Sequence, residues 1–188
     1  MKVVPLHKNF KPLIKKCING KRSAQHQLYE LFAPKMKSVC RQYVNDNDRA
    51  EEVMLSGFLK VFDHLKSYSG EGSFEGWVRR IMVNEAISHL RREKKFAYTA
   101  STEIENSTTH AAYLETELEV NEIQKMIDAL PQGYKTVFVL YAVEGYKHSE
   151  IAELLKISEG TSKSQLAKAR AALQRMITQQ NNVHYGTH

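Results

Sequence analysis

The chain has 188 residues, with 27 Lys+Arg against 21 Asp+Glu, a formal net charge of +6 and a pI near 9.2. That length allows one or two small domains, and the basic excess favours polyanionic partners, nucleic acid above all. No stretch approaches the roughly 18 to 20 apolar residues of a membrane span, so no membrane insertion is expected.

The opening, Met1 to Lys8, is basic but has no apolar core behind it, so it does not read as a signal peptide, and a cytoplasmic protein is expected. Lys2, Lys8, Lys11, Lys15, Lys16, Lys21 and Arg22 fall within residues 1–22 with no acidic residue among them. Cys17 and Cys40 lack CxxC spacing, which argues against a zinc site or a disulfide framework and for two thiols in a reducing compartment. The eight His residues show no ligand spacing, so no metal and no cofactor is expected. No nucleophile–base set or phosphate loop is readable, and no catalytic residue is assigned.

Asp48-Arg49-Ala50-Glu51 has the pattern of a capping box, and Met54, Phe58, Val61, Phe62 and Leu65 follow at helical spacing. Two glycines in residues 67–73 break that helix. A second helix is predicted from Ser73 to about Lys94, with Phe74, Trp77, Val78 and Ile81 on one side and Val83, Ile87 and Leu90 on another. A helix apolar on two sides is buried on both or awaits a partner. Trp77 is expected in the core. Residues 79–95 carry six basic residues against two acidic ones.

From Phe96 to Glu122 the sign reverses, with six Glu and no Lys or Arg, and Thr99 to Thr109 is almost free of large apolar residues. Such a composition cannot build a core and reads as a linker. The Asn106-Ser107-Thr108 glycosylation pattern within it is taken as accidental. The expected fold is all-α, with two small helical domains over 1–95 and 117–188 joined by a flexible acidic linker at 96–116.

The second domain begins with a helix around 115–129 and a break at Leu130-Pro131-Gln132-Gly133. A helix through Val137, Phe138, Leu140 and Tyr141 then ends at Gly145. Ser149 can cap a short helix over Glu150–Leu155, and a tight turn from Lys156 to Ser158 leads to a last helix over Glu159–Ile177. On that helix Leu166, Ala169, Leu173 and Ile177 fall on one side, with Ser164, Lys168, Ala171 and Arg175 opposite and Lys163 and Arg170 flanking. Short helix, turn and longer basic helix is the helix-turn-helix arrangement. A helical hairpin with a merely solvated charged face would share this spacing.

Leu130-Pro131, Tyr134 to Phe138, Glu150 to Leu155, Ile157 to Thr161 and Ala167 to Leu173 together resemble the fourth conserved region of bacterial sigma factors. Asp48 to Glu52, Phe58 to Phe62, Phe74 to Ile81, Asn84 and Leu90-Arg91-Arg92 resemble the second region. The two regions stand in the family's order with no sigma domain between them, which is similar to the extracytoplasmic-function subgroup of the sigma-70 class. The resemblance covers roughly residues 10–178.

It implies a transcription initiation factor, not an enzyme, that brings core RNA polymerase to specific promoters. Such a factor recognises −35 and −10 elements and melts DNA. By resemblance Tyr68 lies in the loop that receives a flipped −10 base, and Asn84 can hydrogen-bond its edge. Arg91, Arg92, Lys94 and Lys95 would hold the DNA backbone. Lys163, Ser164, Ala167 and Lys168, with Arg170 flanking, are placed for the −35 duplex. Glu51, Glu52, Leu55 and Leu59 would contact core RNA polymerase. Promoter DNA and core polymerase are thus the implied partners, with an anti-sigma factor as a third.

Four residues depart from the family pattern. Leu55 and Ser56 stand where Gln and Glu are usual, Ser162 replaces a Val on the buried side of the last helix, and Gln165 replaces an Arg expected to touch phosphate. The alternative function is a stand-alone helix-turn-helix regulator, which leaves the 48–92 motif without a purpose.

Overall fold

The computed structural model describes residues 10–93 and 118–185, with side chains placed for 10–93 and 122–180. The chain divides into two compact units, Met1–His89 and Leu90–His188. Among the described residues there is no strand, and no helix is long and apolar enough to cross a membrane. The acidic linker and the Asn106 pattern fall outside the described residues, as do Lys94 and Lys95.

In the first unit α1 (Lys11–Ile18) opens with Pro12 in its first turn, where a missing N–H is harmless, and buries Ile14 and Cys17. The next helix, α2 (Arg22–Arg41), buries Leu28, Phe32, Met36, Val39 and Cys40 along one stripe and runs unbroken through Pro34. Packing along that stripe offsets the backbone bond Pro34 forfeits, since each such side chain contributes about 1.5–3 kcal/mol when buried.

The third helix, α3 (Asn47–His64), is capped by Asp46, whose carboxylate accepts from the Arg49 N–H at 2.8 Å. The cap therefore stands two residues ahead of the expected Asp48, because the free backbone N–H groups of the first turn point at Asp46. Glu51, expected to complete the box, instead pairs with Lys37 of α2. The predicted stripe is in place: Met54, Phe58, Val61 and Leu65 are buried and Phe62 half-buried.

A single 3-10 turn (Leu65–Ser67) leads into the glycine-bearing loop, where Gly70 and Gly72 adopt φ of 86° and 70°, a conformation that costs other residues a Cβ clash. Ser73 caps α4 (Phe74–Arg92) by accepting from the Gly76 N–H at 3.0 Å. Helix α4 is buried on more than one side, as its two apolar faces demand: Phe74, Val78, Met82, Val83, Ala86, Ile87 and Leu90 are all inside. Where α3 crosses α4 the fit is tight. A Cβ at Gly57 would run into Met82 Sδ, and further along α3 Lys60 pairs with the buried Glu85 of α4.

The second unit begins with α5 (Leu118–Asp128) and α6 (Gln132–Phe138). The break between them is shorter than expected: Gln132 and Gly133 already belong to α6, because Pro131 lacks an N–H and fits a helix start. Lys135, fully buried, reaches back to Asp128 and fastens α6 to α5. A π-helical turn (Val139–Val143) follows and ends before Gly145.

Next come α7 (His148–Leu155) and α8 (Glu159–Tyr185). Ser149 does not cap α7. The helix starts two residues earlier, and the Lys147 N–H donates to the Glu150 carboxylate at 2.7 Å. Helix α8 packs on α5, α6 and α7, with Leu166, Ala169 and Ala172 buried. Ile177, expected on its inner side, is 44% exposed, and the neighbouring Met176 packs against the core instead.

Candidate nucleic-acid interface and docking face

The two candidate reading sites lie on different elements, one on α4 and the loop before it, the other on α8 and the turn before it. In the first, Tyr68 is half-buried between Phe74 and Trp77, with ring centroids at 5.1 and 5.6 Å. Its hydroxyl donates to the Gly72 carbonyl at 3.0 Å, which closes the loop on itself. Trp77 stacks on Phe74 at 5.7 Å but stays half-exposed, so it is a wall of this site and not a core residue alone. Asn84 and Arg91 stand two and four turns beyond Trp77, on the same side of α4, and both are exposed. A flat aromatic surface, an exposed amide and a cation thus follow one another along a single helix face. Arg92 is exposed beside Arg91. Aromatic surface can stack on an unpaired base and contribute about 1–3 kcal/mol.

The second site is the helix-turn-helix. Lys156 closes α7 in the left-handed conformation, φ 56°, and Ser158 then caps α8 by accepting from the Thr161 N–H at 2.9 Å. Lys163, Ser164, Ala167, Lys168 and Arg170 are all exposed on α8. They are not equally free. Lys163 pairs with Glu159 at 3.5 Å, and the Ser164 hydroxyl donates to the Thr161 carbonyl at 3.0 Å. Lys168 Nζ stands 6.0 Å from the Tyr134 ring, and the Arg170 guanidinium sits 5.6 Å over the Tyr141 ring. Exposed cation–ring contacts contribute about 0.5–1 kcal/mol, little enough for a phosphate to displace.

Two of the departures from the family pattern, Ser162 and Gln165, lie on α8. Ser162 is fully buried, and its hydroxyl meets His148 Nδ1 at 2.8 Å, so the position is hydrogen-bonded and not loosely packed. The ring of Tyr141 stacks on His148 at 4.7 Å. Arg170, Tyr141, His148 and Ser162 therefore form one continuous chain across the motif. Gln165 is half-buried, and its Oε1 is buried without a hydrogen-bond partner.

On α3, Glu52 is exposed, Leu55 is 46% exposed and Leu59 is 68% exposed, while Glu51 is taken by Lys37. Two exposed leucines one turn apart are an apolar face without a cover. Leu31 of α2, 46% exposed, escapes a reading by periodicity because a lone apolar residue carries no pattern. Among the described residues no cluster of His, Cys, Asp and Glu could hold a metal ion.

An all-helical DNA-binding protein with a helix-turn-helix and a second helical unit is the class these features define. Comparison with known families places it further. Residues 28–96 match the model for sigma-70 region 2, and residues 121–173 match the model for sigma-70 region 4. The chain belongs to the sigma-70 family, in its extracytoplasmic-function subgroup.

It is 27% identical over 180 residues to the ECF RNA polymerase sigma factor SigW of Bacillus subtilis, covering 89% of this chain and 96% of that one. The ECF RNA polymerase sigma-E factor of Haemophilus influenzae is 27% identical over 177 residues, covering 88% and 93%. The fold is also similar to the sigma factor RpoE of Bartonella quintana, solved in complex with the anti-sigma factor NepR. That match has a TM-score of 0.50 and 18% identity over 81% of this chain and 96% of that chain.

Proposed function

We propose that this chain is the subunit that gives bacterial RNA polymerase its promoter specificity, binding core polymerase and recognising −35 and −10 elements in order to melt the DNA. The observation that carries this is the presence of sigma-70 regions 2 and 4, in that order, on one chain. A stand-alone helix-turn-helix regulator has no use for the region 2 segment.

In this reading α8 enters the major groove of the −35 element. Lys163 and Lys168 serve phosphates, Ser164 and Ala167 face base edges, and Arg170 flanks them. Tyr68 and Asn84 hold a base extruded from the −10 element, and Arg91 and Arg92 follow the backbone. Extrusion costs a few kcal/mol, which stacking on Tyr68 and Trp77 offsets. Glu52, Leu55 and Leu59, with Glu51 behind them, form the polymerase contact. The protein works in the cytoplasm and carries out no covalent chemistry of its own. An anti-sigma partner is consistent with the complex in which the Bartonella relative was solved.

The test is run-off transcription with purified protein and core polymerase on a genomic fragment library. Promoter-specific transcripts are expected. Sequence-specific DNA binding without polymerase, and no transcripts with it, would favour the regulator.

A further inference from the structure

The loop that carries Tyr68 is tied to itself by the bond from the Tyr68 hydroxyl to Gly72, and to α4 by the contacts of the Tyr68 ring with Phe74 and Trp77. Phe74 is also the meeting point of a second group of rings. Phe32 of α2 lies 5.6 Å from it and Phe10 lies 6.0 Å from it, and Phe10 and Phe32 touch at 5.2 Å. Phe74 is buried and Phe10 half-buried. Two aromatic triangles thus share a single ring.

Helix α1 reaches both ends of the loop. Phe10, just ahead of its first residue, lies against Phe74, which follows the loop. The helix itself packs on the 3-10 turn Leu65–Ser67, which precedes Tyr68. Burial of Ile14 and Cys17 on α1 fixes where Phe10 stands. From the other side Lys35 of α2, one turn beyond Phe32, pairs with Glu75 next to Phe74. Phe10 and α1 lie ahead of residues 28–96 that match sigma-70 region 2, so that match assigns them no role.

A ring that already stands in place stacks on a base at full strength, whereas a ring that must be ordered on binding loses part of the contact to rotamer entropy. We propose that Phe10 is a positioning residue for base capture: by backing Phe74 it keeps the Tyr68 and Trp77 rings in the arrangement on which an unpaired base stacks. The inference rests on the promoter-melting reading of Tyr68 and Asn84 and adds to it a residue that acts without touching DNA.

The experiment compares the full chain with Phe10→Ala, Phe10→Leu and Phe10→Tyr. A control, Val39→Ala, truncates a buried side chain two turns beyond Phe32 on α2. Affinities are measured for core polymerase and, with core polymerase present, for a single-stranded −10 probe and a duplex −35 fragment. Trp77 is the single tryptophan of the chain, so acrylamide quenching of the free protein reads the stacked rings directly.

Phe10→Ala should bind the −10 probe roughly three- to tenfold more weakly, the loss expected when one side chain must be ordered on binding. Its Trp77 should be quenched more readily, with the other two affinities unchanged. Phe10→Tyr should restore both readouts. Phe10→Leu should fall between, and it keeps the apolar bulk should the truncated variant fail to fold. Val39→Ala should lower the thermal midpoint and leave −10 affinity as in the parent.

Unchanged −10 affinity in Phe10→Ala and Phe10→Leu overturns the proposal. So does an equal loss in Val39→Ala, which would reduce Phe10 to ordinary core packing, or a loss confined to core polymerase binding. Tyr68→Ala, run alongside, should weaken the −10 probe. If it does not, the base-capture reading fails by itself, whatever Phe10 does.

Discussion

His148 Nδ1 and Ser162 Oγ meet at 2.8 Å and join the two helices of the helix-turn-helix across their turn. Ser162 is fully buried, so losing the histidine leaves its hydroxyl with nothing to bond, a loss of about 1–3 kcal/mol. His148→Leu and Ser162→Val should each destabilise the second unit, whereas the two combined should cost clearly less than the sum of the single changes. Urea unfolding of the four proteins in a double-mutant cycle measures this. Strict additivity would mean that the contact carries no coupling energy.

Leu55 should matter to binding and not to folding. At 46% exposure its replacement by Gln should leave stability within about 0.5 kcal/mol. Affinity for core polymerase should change measurably, and Leu59→Gln should act in the same direction. Titration of labelled protein with core polymerase reads this, and unchanged affinity in both variants removes α3 from the docking surface.

The two reading sites should fail separately. Asn84→Ala should impair melting while leaving binding to a duplex −35 fragment intact, because an unstacked base exists only in the open complex. Tyr68→Phe, which keeps the ring and loses the bond to Gly72, should melt DNA better than Tyr68→Ala. Lys168→Ala should weaken duplex binding and lower its salt slope by roughly one unit. Permanganate footprinting beside a fragment titration distinguishes them, and the reverse pattern would exchange the roles of the units.

Two groups of the first unit carry opposite pH dependences. The Arg49 N–H holds the Asp46 carboxyl below its ordinary value. Its contribution is therefore complete above the usual Asp range and disappears as pH falls through the lowered folded value. Burial, helped by the nearby Glu85 charge, pushes the Cys40 thiol up to about 12. That contribution is complete below the ordinary thiol value and disappears as pH rises toward 12. Asp46→Asn, which keeps a capping oxygen, should flatten the acid limb of a stability–pH curve and leave the alkaline limb alone. Cys40→Ala should flatten the alkaline limb and leave the acid limb alone.

What can be read from the sequence is local. The stripe Met54, Phe58, Val61, Leu65 and the succession of α7, turn and α8 repeat at helical spacing, and such patterns survive folding unchanged. The start of α3 is misplaced by two residues because Asp46 and Asp48 are equivalent as letters, and only backbone direction selects the acceptor. Contacts made by tertiary approach leave no trace: Lys60 reaches Glu85 across 25 positions, and Ser162 meets His148 across 14. The same blindness hides the cations' second occupation. Lys168 and Arg170 read as outward positive charges, and nothing in their spacing discloses the rings of Tyr134 and Tyr141 beside them.

Gly57 has a consequence for how this protein can change. It lies on α3 between Leu55 and Leu59, and it meets Met82, two residues before Asn84 on α4. The face of α3 proposed to meet polymerase and the face of α4 proposed to receive a base are thus carried by two helices that touch where Gly57 meets Met82. A single added methyl group there would force the buried Met82 side chain to move. A change in size at either residue therefore reaches the other helix, and with it the second of the two proposed faces.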